Sequence, residues 1–111
     1  MDESAHFFPR LREFYRTTIK SDFADKIFKG LAGFVTTCMG WYQHFSFPRK
    51  FTWEWRLQML LGEYEKDTSV FFRSQVKPGM TTIDIGAHVG YFTRLFAINV
   101  GSGGKVLAFE A

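Results

Sequence analysis

The stretch from residue 81 to residue 110 constrains the fold of this chain more than any other part of its sequence. It divides into a β-branched run, a loop bracketed by glycines, a segment with helical periodicity, a glycine-rich turn and a second apolar run. These segments are residues 81–85, 86–90, 91–100, 101–104 and 105–109. Because a strand–helix–strand crossover places its strands parallel, this order predicts one β-α-β unit with two buried strands.

The loop after the first strand lacks the spacing of a dinucleotide-binding loop. Counted from Gly86, the G-x-G-x-x-G pattern requires glycine at positions 88 and 91, where the chain has His88 and Tyr91. The loop instead reads D-x-G-x-x-x-G, with Asp84 in the strand and Gly90 before the helix. We expect Gly86 to free the backbone at the strand exit and to let a ligand approach it. Gly90 is expected to allow close packing of helix and strand.

Two acidic residues frame this loop and indicate the charge of its ligand. A carboxylate at Asp84 repels a pyrophosphate but attracts a ligand that carries an ammonium and a sulfonium group. Glu110 follows the second strand, where acids in nucleoside-binding β-α-β units accept hydrogen bonds from ribose hydroxyls. One carboxylate suits two neighbouring hydroxyl donors. The residues therefore predict S-adenosylmethionine as the cofactor, because it carries both cationic groups and no phosphate.

This part of the chain resembles the FkbM-like S-adenosylmethionine-dependent methyltransferases. Residues 77–111, KPGMTTIDIGAHVGYFTRLFAINVGSGGKVLAFEA, are similar to their first cofactor motif and second strand, and residues 62–76, GEYEKDTSVFFRSQV, to the helix before it. The resemblance implies a class I, Rossmann-like α/β sheet of seven strands and methyl transfer to an oxygen of a sugar, polyketide or other small hydroxylated acceptor. It also implies these cofactor contacts: Asp84, Gly86, Ala87, His88, Gly90, Tyr91 and Glu110. One departure is Ala111, where such families often have proline.

Other functions and other residue roles stay open at this point. The β-α-β unit also suits an oxidoreductase that uses NAD or FAD, although Asp84 replaces the first glycine of the dinucleotide motif. A non-enzymatic module that binds a membrane surface or a partner is the other alternative. No catalytic residue is predicted, because His88 is interpreted as contributing its backbone rather than acting as a base. Glu65 is interpreted as an acid at a helix start, or as a contact to the methionine end of the cofactor.

The pattern divides the chain into two regions. Residues 1–62 form an N-terminal helical and aromatic region, and residues 63–111 form the first part of a methyltransferase domain. A two-stranded sheet has exposed edges and little stability of its own. We therefore expect the chain to be the N-terminal portion of a longer enzyme, or else a short form completed by a partner, with the cofactor motif but without the acceptor site. Such a portion is expected to bind the cofactor weakly or not at all and to be inactive alone.

The N-terminal region is predicted to be mostly helical. Within residues 9–43, apolar residues recur at steps of three and four, and Ser21 and Asp22 either cap a second helix or lie on its polar face. We expect an amphipathic helical arm that packs its apolar stripe on the rest of the protein, with a membrane surface or a partner as the alternative. Extended chain is predicted up to Trp55, a short helix from there to Gly62, and another helix over 65–76.

Composition excludes several functional classes. The net charge is +3 and the sequence has no dense basic run, so nucleic-acid binding is not expected. Cys38 is the single cysteine and the three histidines are scattered, so neither a disulfide framework nor a metal site is predicted. Asp2 and Glu3 precede any apolar stretch, unlike a secretory signal, so a cytoplasmic location is expected. Aromatic residues make up 19% of the chain and require a core, a partner or a membrane interface to cover them.

Overall fold

A computed structural model describes residues 7–111, apart from the side chain of Phe7. In this part of the chain, five helices accompany one sheet of two parallel strands. The elements are α1 Phe7–Thr18, α2 Asp22–Tyr42, α3 Trp53–Leu60, α4 Lys66–Gln75, β1 Thr81–Ile85, α5 Tyr91–Val100 and β2 Lys105–Phe109. The mixed α/β organisation predicted from the sequence is confirmed. The acidic residues Asp2 and Glu3, on which the absence of a secretory signal was argued, lie outside the described residues.

The chain forms two compact units, the first ending at Leu60 and the second spanning Leu61–Ala111. In the first unit, the predicted helical region is two helices, with a break between Thr18 and Asp22. The Oγ of Ser21 accepts a hydrogen bond from the backbone N–H of Ala24 at 3.2 Å, so Ser21 caps α2. Of the two roles that the sequence left open for Ser21, the structure therefore selects the cap.

Three aromatic rings form the centre of the first unit. The ring of Tyr15 lies 4.9 Å from that of Phe28 and 5.8 Å from that of Trp53, and the Phe28 and Trp53 rings are 5.3 Å apart, all measured between centroids. Trp53 is buried and begins α3, so the prediction of extended chain up to Trp55 is wrong at this position. The aromatic residues around Trp53 alternate with smaller or polar ones, which is typical of a strand. The conformation is instead decided by burial of the Trp53 indole against two helices.

The apolar stripe of the N-terminal helices is mostly exposed, so the prediction that it packs on the rest of the protein is wrong for most of its side chains. The exposed members of the stripe are Phe14, Phe23, Ile27, Leu31, Phe34 and Val35. Helix α2 packs on α3 with a different face, which contains the buried residues Thr36 and Gly40. Among residues 7–111, no helix has both the length and the apolar character needed to cross a membrane.

The second unit contains the predicted β-α-β arrangement. Strands β1 and β2 pair in parallel, with Ile83 opposite Leu107 and Ile85 opposite Phe109. Helix α5 covers one face of this sheet. The prediction that both strands are buried is wrong, because Ile83 and Ile85 point to the other face and are 59% and 84% exposed. No other element of the second unit covers that face.

At Gly104, the backbone of the second unit packs closely against the side chain of Val100. A Cβ built on Gly104 would overlap the Cβ of Val100 and lie 2.7 Å from both the Met80 carbonyl oxygen and Val100 Cγ2. The same Met80 oxygen accepts the N–H of Lys105 at 3.0 Å, at the first position of the ladder. The glycine-rich turn at 101–104 is tightly packed at Gly104. This packing brings the start of β2 against the chain that leads into β1.

Candidate functional site

The candidate site lies where β1 and β2 end, around the loop formed by residues 86–90. The backbone N–H groups of Gly86 and Ala87 both donate to the Phe109 carbonyl oxygen, at 2.8 and 3.0 Å. The loop therefore bends toward the end of the neighbouring strand, and Glu110 follows directly after that strand. Since the carboxyl ends of parallel strands meet at one edge of a sheet, residues far apart in the sequence share this edge.

Glu110 binds the backbone of the loop. Its Oε2 accepts a hydrogen bond from the N–H of His88 at 2.5 Å. His88 has a φ of 49°, in the left-handed region that non-glycine residues rarely adopt, and the charged acceptor stabilises the loop in this conformation. His88 thus uses its backbone N–H, and the partner of that N–H is Glu110. One of its oxygens therefore binds the loop, and its contact with ribose hydroxyls stays a prediction.

Asp84 is oriented by a hydroxyl that the sequence analysis missed. The Oγ1 of Thr93 donates to Asp84 Oδ2 at 2.5 Å. Thr93 lies in the first turn of α5, so this bond joins the strand to the beginning of the helix. The signal available in the sequence was a hydroxyl residue in the first turn of a helix that is otherwise largely apolar.

Gly90 is required for a reason other than the one predicted. A Cβ at this position would meet only the Cβ of Thr93, at 3.9 Å, an ordinary contact, so the expectation of close helix–strand packing is wrong. Gly90 has a φ of 81° at the N-cap of α5, and its N–H donates to the Ala87 carbonyl oxygen at 2.7 Å. The left-handed backbone of this turn is what selects glycine. Gly86, with a φ of 78°, makes the predicted strand exit, and no atom lies within 4 Å of a Cβ built on it.

Tyr91 connects the loop to α4 through its side chain. Its hydroxyl lies 3.4 Å from the Oγ of Ser69, which is completely buried and donates to the Tyr64 carbonyl oxygen at 3.2 Å. Because the Ser69 proton is used in that bond, the Tyr91 hydroxyl acts as the donor to Ser69. The rings of Tyr64 and Tyr91 meet edge to face, with centroids 5.0 Å apart. The sequence predicted mainly a backbone role for Tyr91 and did not identify Ser69.

Tyr64 and Glu65 form the polar edge of this contact. Burial raises the pKa of the Tyr64 phenol, and the neighbouring Glu65 carboxylate raises it further. Glu65 is the N-cap residue of α4 and adopts a left-handed backbone with a φ of 43°, without a side-chain capping bond. Its position at a helix start agrees with the simpler of its two predicted roles. Its contact with the cofactor stays a prediction.

The arrangement suits a cationic ligand with hydroxyl groups better than an anionic one. Asp84 and Glu110 bring two carboxylates to one edge of the sheet, and the segment 84–93 contains neither lysine nor arginine. Among residues 7–111, no group of three or more histidine, cysteine or acidic side chains is placed to hold a metal ion.

Comparison of the chain with protein-family models, with curated proteins and with solved structures gave no match.

Proposed function

We propose that this chain carries the cofactor-binding part of an S-adenosylmethionine-dependent methyltransferase, of the FkbM-like family and of class I, Rossmann-like architecture. The reaction proposed is methyl transfer to an oxygen of a small hydroxylated acceptor. The observation that carries the proposal is the placement of Asp84 and Glu110 at the ends of adjacent parallel strands, on either side of the loop 86–90. When bound, S-adenosylmethionine supplies an electrophilic methyl group on a positively charged sulfur.

Each acid has a distinct role in this proposal. A carboxylate accepts more than one hydrogen bond, so Glu110 is able to hold the N–H of His88 and a ribose hydroxyl together. Asp84, oriented by Thr93, supplies negative charge at the other strand end. Gly86 offers open space above its Cα, where a side chain would otherwise stand between ligand and backbone. These groups fit the nucleoside and the cationic part of the proposed cofactor.

The same groups do not favour a dinucleotide. A pyrophosphate requires basic side chains or unhindered backbone N–H groups near it. Here the N–H groups of Gly86, Ala87 and Gly90 donate to carbonyl oxygens of the protein, and that of His88 donates to Glu110. Four of the five loop N–H groups are therefore bonded within the protein, and the loop is acidic at its edges, which supports the methyltransferase proposal over the NAD- or FAD-dependent alternative.

The experiment is a titration of the ¹⁵N-labelled chain with S-adenosylhomocysteine, followed by NMR, since amide shifts detect even weak binding. We expect shifts at the amides of residues 86–91 and 110, and none at those amides on titration with NAD. Shifts at these amides that are as large with NAD as with S-adenosylhomocysteine would overturn the proposal.

Three charge-neutralising variants sharpen the test. In Glu110→Gln the amide oxygen still accepts the His88 N–H, so the loop bond is retained while the charge is lost. We expect Glu110→Gln and Asp84→Asn to weaken binding roughly tenfold or more, the effect of losing a charged acceptor. Asp67→Asn is the matched control, because it removes the same charge from an exposed position in α4. Equal affinity in all three variants would contradict the roles assigned to the two acids.

A further inference from the structure

Helix α2 packs Phe28 against Tyr15 and Trp53 but exposes most of its other large apolar side chains. Its buried residues are Thr36 and Gly40, and a Cβ on Gly40 would lie 2.5 Å from the Phe45 carbonyl oxygen, so only glycine allows this approach. The exposed apolar side chains on the other side form what we call the α2 stripe: Phe23, Ile27, Leu31, Phe34, Val35, Trp41 and Tyr42. Most of the apolar surface of this helix therefore lies outside the aromatic centre of the first unit.

The α2 stripe is continuous. With about 100° between successive residues, its members fall within an arc of about 120° around the helix axis, and they extend over about 28 Å of helix. No charged residue occurs in the sequence from Gly30 to Tyr42. Ordinary monomers expose single apolar side chains scattered over their surface, whereas the α2 stripe is one contiguous apolar patch. A patch of this extent indicates an interaction surface.

The charge around the α2 stripe indicates the sign of its partner. Residues 1–60 contain nine lysines and arginines against six acids, whereas the second unit, Leu61–Ala111, contains five of each. Along one edge of the stripe lie Lys26 and the guanidinium of Arg56, whose Nη1 donates to Thr37 Oγ1 at 3.3 Å. The net positive charge of the chain therefore lies in the unit that exposes the apolar stripe.

We infer that the α2 stripe binds the surface of an anionic membrane, with α2 lying along the bilayer and its apolar side chains inserted at the headgroup boundary. Apolar and aromatic side chains combined with surrounding lysine and arginine are the composition of interfacial helices. Trp41 is 84% exposed and stands beside Tyr42 at the carboxyl end of the helix, and both ring types favour the membrane interface. A second copy of the chain would bring two cationic units together, which opposes dimerisation through this face.

The test is co-sedimentation of the full chain with two kinds of vesicle, phosphatidylcholine alone and phosphatidylcholine with phosphatidylserine. We expect strong binding to the vesicles that contain phosphatidylserine, weaker binding to neutral vesicles, and a loss of the difference at high salt. Failure to bind the anionic vesicles would overturn the inference. So would a stable dimer in sedimentation velocity that dissociates when the stripe is substituted.

A pair of matched variants locates the binding surface. Leu31 and Ile98 are 61% and 62% exposed, but only Leu31 belongs to the α2 stripe. We expect Leu31→Glu to lower vesicle affinity by roughly tenfold or more and Ile98→Glu to leave it unchanged, since only the first variant loses burial of a large apolar side chain. Circular dichroism establishes that both variants are folded. Equal binding by the two variants would exclude the stripe as the lipid-binding surface.

Cys38 provides a second measurement that requires no disruptive substitution. It is the single cysteine of the sequence, it is exposed, and its position on α2 falls within the arc of the stripe. We expect an environment-sensitive fluorophore on Cys38 to shift to shorter wavelength with anionic vesicles and to be quenched by brominated lipid chains. A label that stays in water while the chain sediments with vesicles would assign the binding to another surface and would overturn the inference.

Discussion

Replacing Gly104 by alanine tests how the β-α-β unit holds the candidate site together. Gly104 stands between α5 and the start of β2, where a Cβ would overlap Val100 and approach the Met80 carbonyl oxygen to 2.7 Å. Val100 is only 2% exposed and therefore has little room to move away. The Met80 carbonyl oxygen also accepts the N–H of Lys105, at the first position of the strand ladder. The added methyl group therefore directly disturbs this hydrogen bond.

Two costs add at this position. Overpacking a closely packed site costs about 1–3 kcal/mol, and the loss of the Lys105–Met80 hydrogen bond adds about 0.5–1.5 kcal/mol. Against this, the alanine reduces the freedom of the unfolded chain and stabilises the protein by about 0.4–1 kcal/mol. We expect Gly104→Ala to lower the free energy of unfolding of the second unit by about 2–3 kcal/mol. That destabilisation corresponds to amide exchange roughly a hundredfold faster.

Gly103→Ala is the matched control, because the nearest atom to its Cβ, the Cα of Gly79, lies 4.0 Å away. We expect Gly103→Ala to leave exchange unchanged or slightly slowed. The measurement is hydrogen exchange by NMR at the amides of β1 and β2 under native conditions. Equal exchange rates in the two variants would refute the reasoning, because the sterically open glycine and the enclosed one would then be equivalent.

The remaining predictions concern the polar contacts of the second unit. Ser69→Ala removes the buried partner of the Tyr91 hydroxyl, and we expect the free energy of unfolding in urea to fall by about 1–3 kcal/mol. Thr93→Val keeps the shape but removes the bond to Asp84, and a decrease of about 1.5–3 kcal/mol is expected in the same assay; an unchanged midpoint would contradict the contact. The raised pKa of Tyr64 means that the unfolded chain releases this proton at lower pH than the folded chain does. Stability is therefore expected to fall as pH rises above about 10, with a smaller fall in Tyr64→Phe, both measured by urea unfolding.

The β-α-β unit could be predicted because its signals are local. The β-branched run before Gly86 and the apolar periodicity after Gly90 each specify one element, and β1, α5 and β2 have the predicted bounds. The shared position of Asp84 and Glu110 could also be predicted, since it follows from parallel pairing of consecutive strands. What the two acids bind stays a prediction.

The failures concern properties that depend on distant parts of the chain. A β-branched run predicts a strand, but the exposure of Ile85 depends on whether a second layer covers its face. Similarly, the apolar periodicity of α2 predicts a helix, but it does not determine which face of that helix is covered by a neighbouring element. Ser69 and Thr93 escaped prediction because a hydroxyl in a helix is common, and its value as a partner appears only when the structure brings it to Tyr91 or Asp84.

The lipid surface and the cofactor site are proposed in different units of the chain, so one variant in each unit separates the two proposals. Leu31 lies in the cationic unit that ends at Leu60, and Glu110 lies in the charge-balanced unit that follows. We expect Leu31→Glu to lose vesicle binding while its amides still respond to S-adenosylhomocysteine, and Glu110→Gln to show the reverse, measured by sedimentation and NMR on the same preparations. Loss of both responses in Leu31→Glu would mean that the stripe supports the cofactor unit, and the assignment of α2 to a membrane surface would then be wrong.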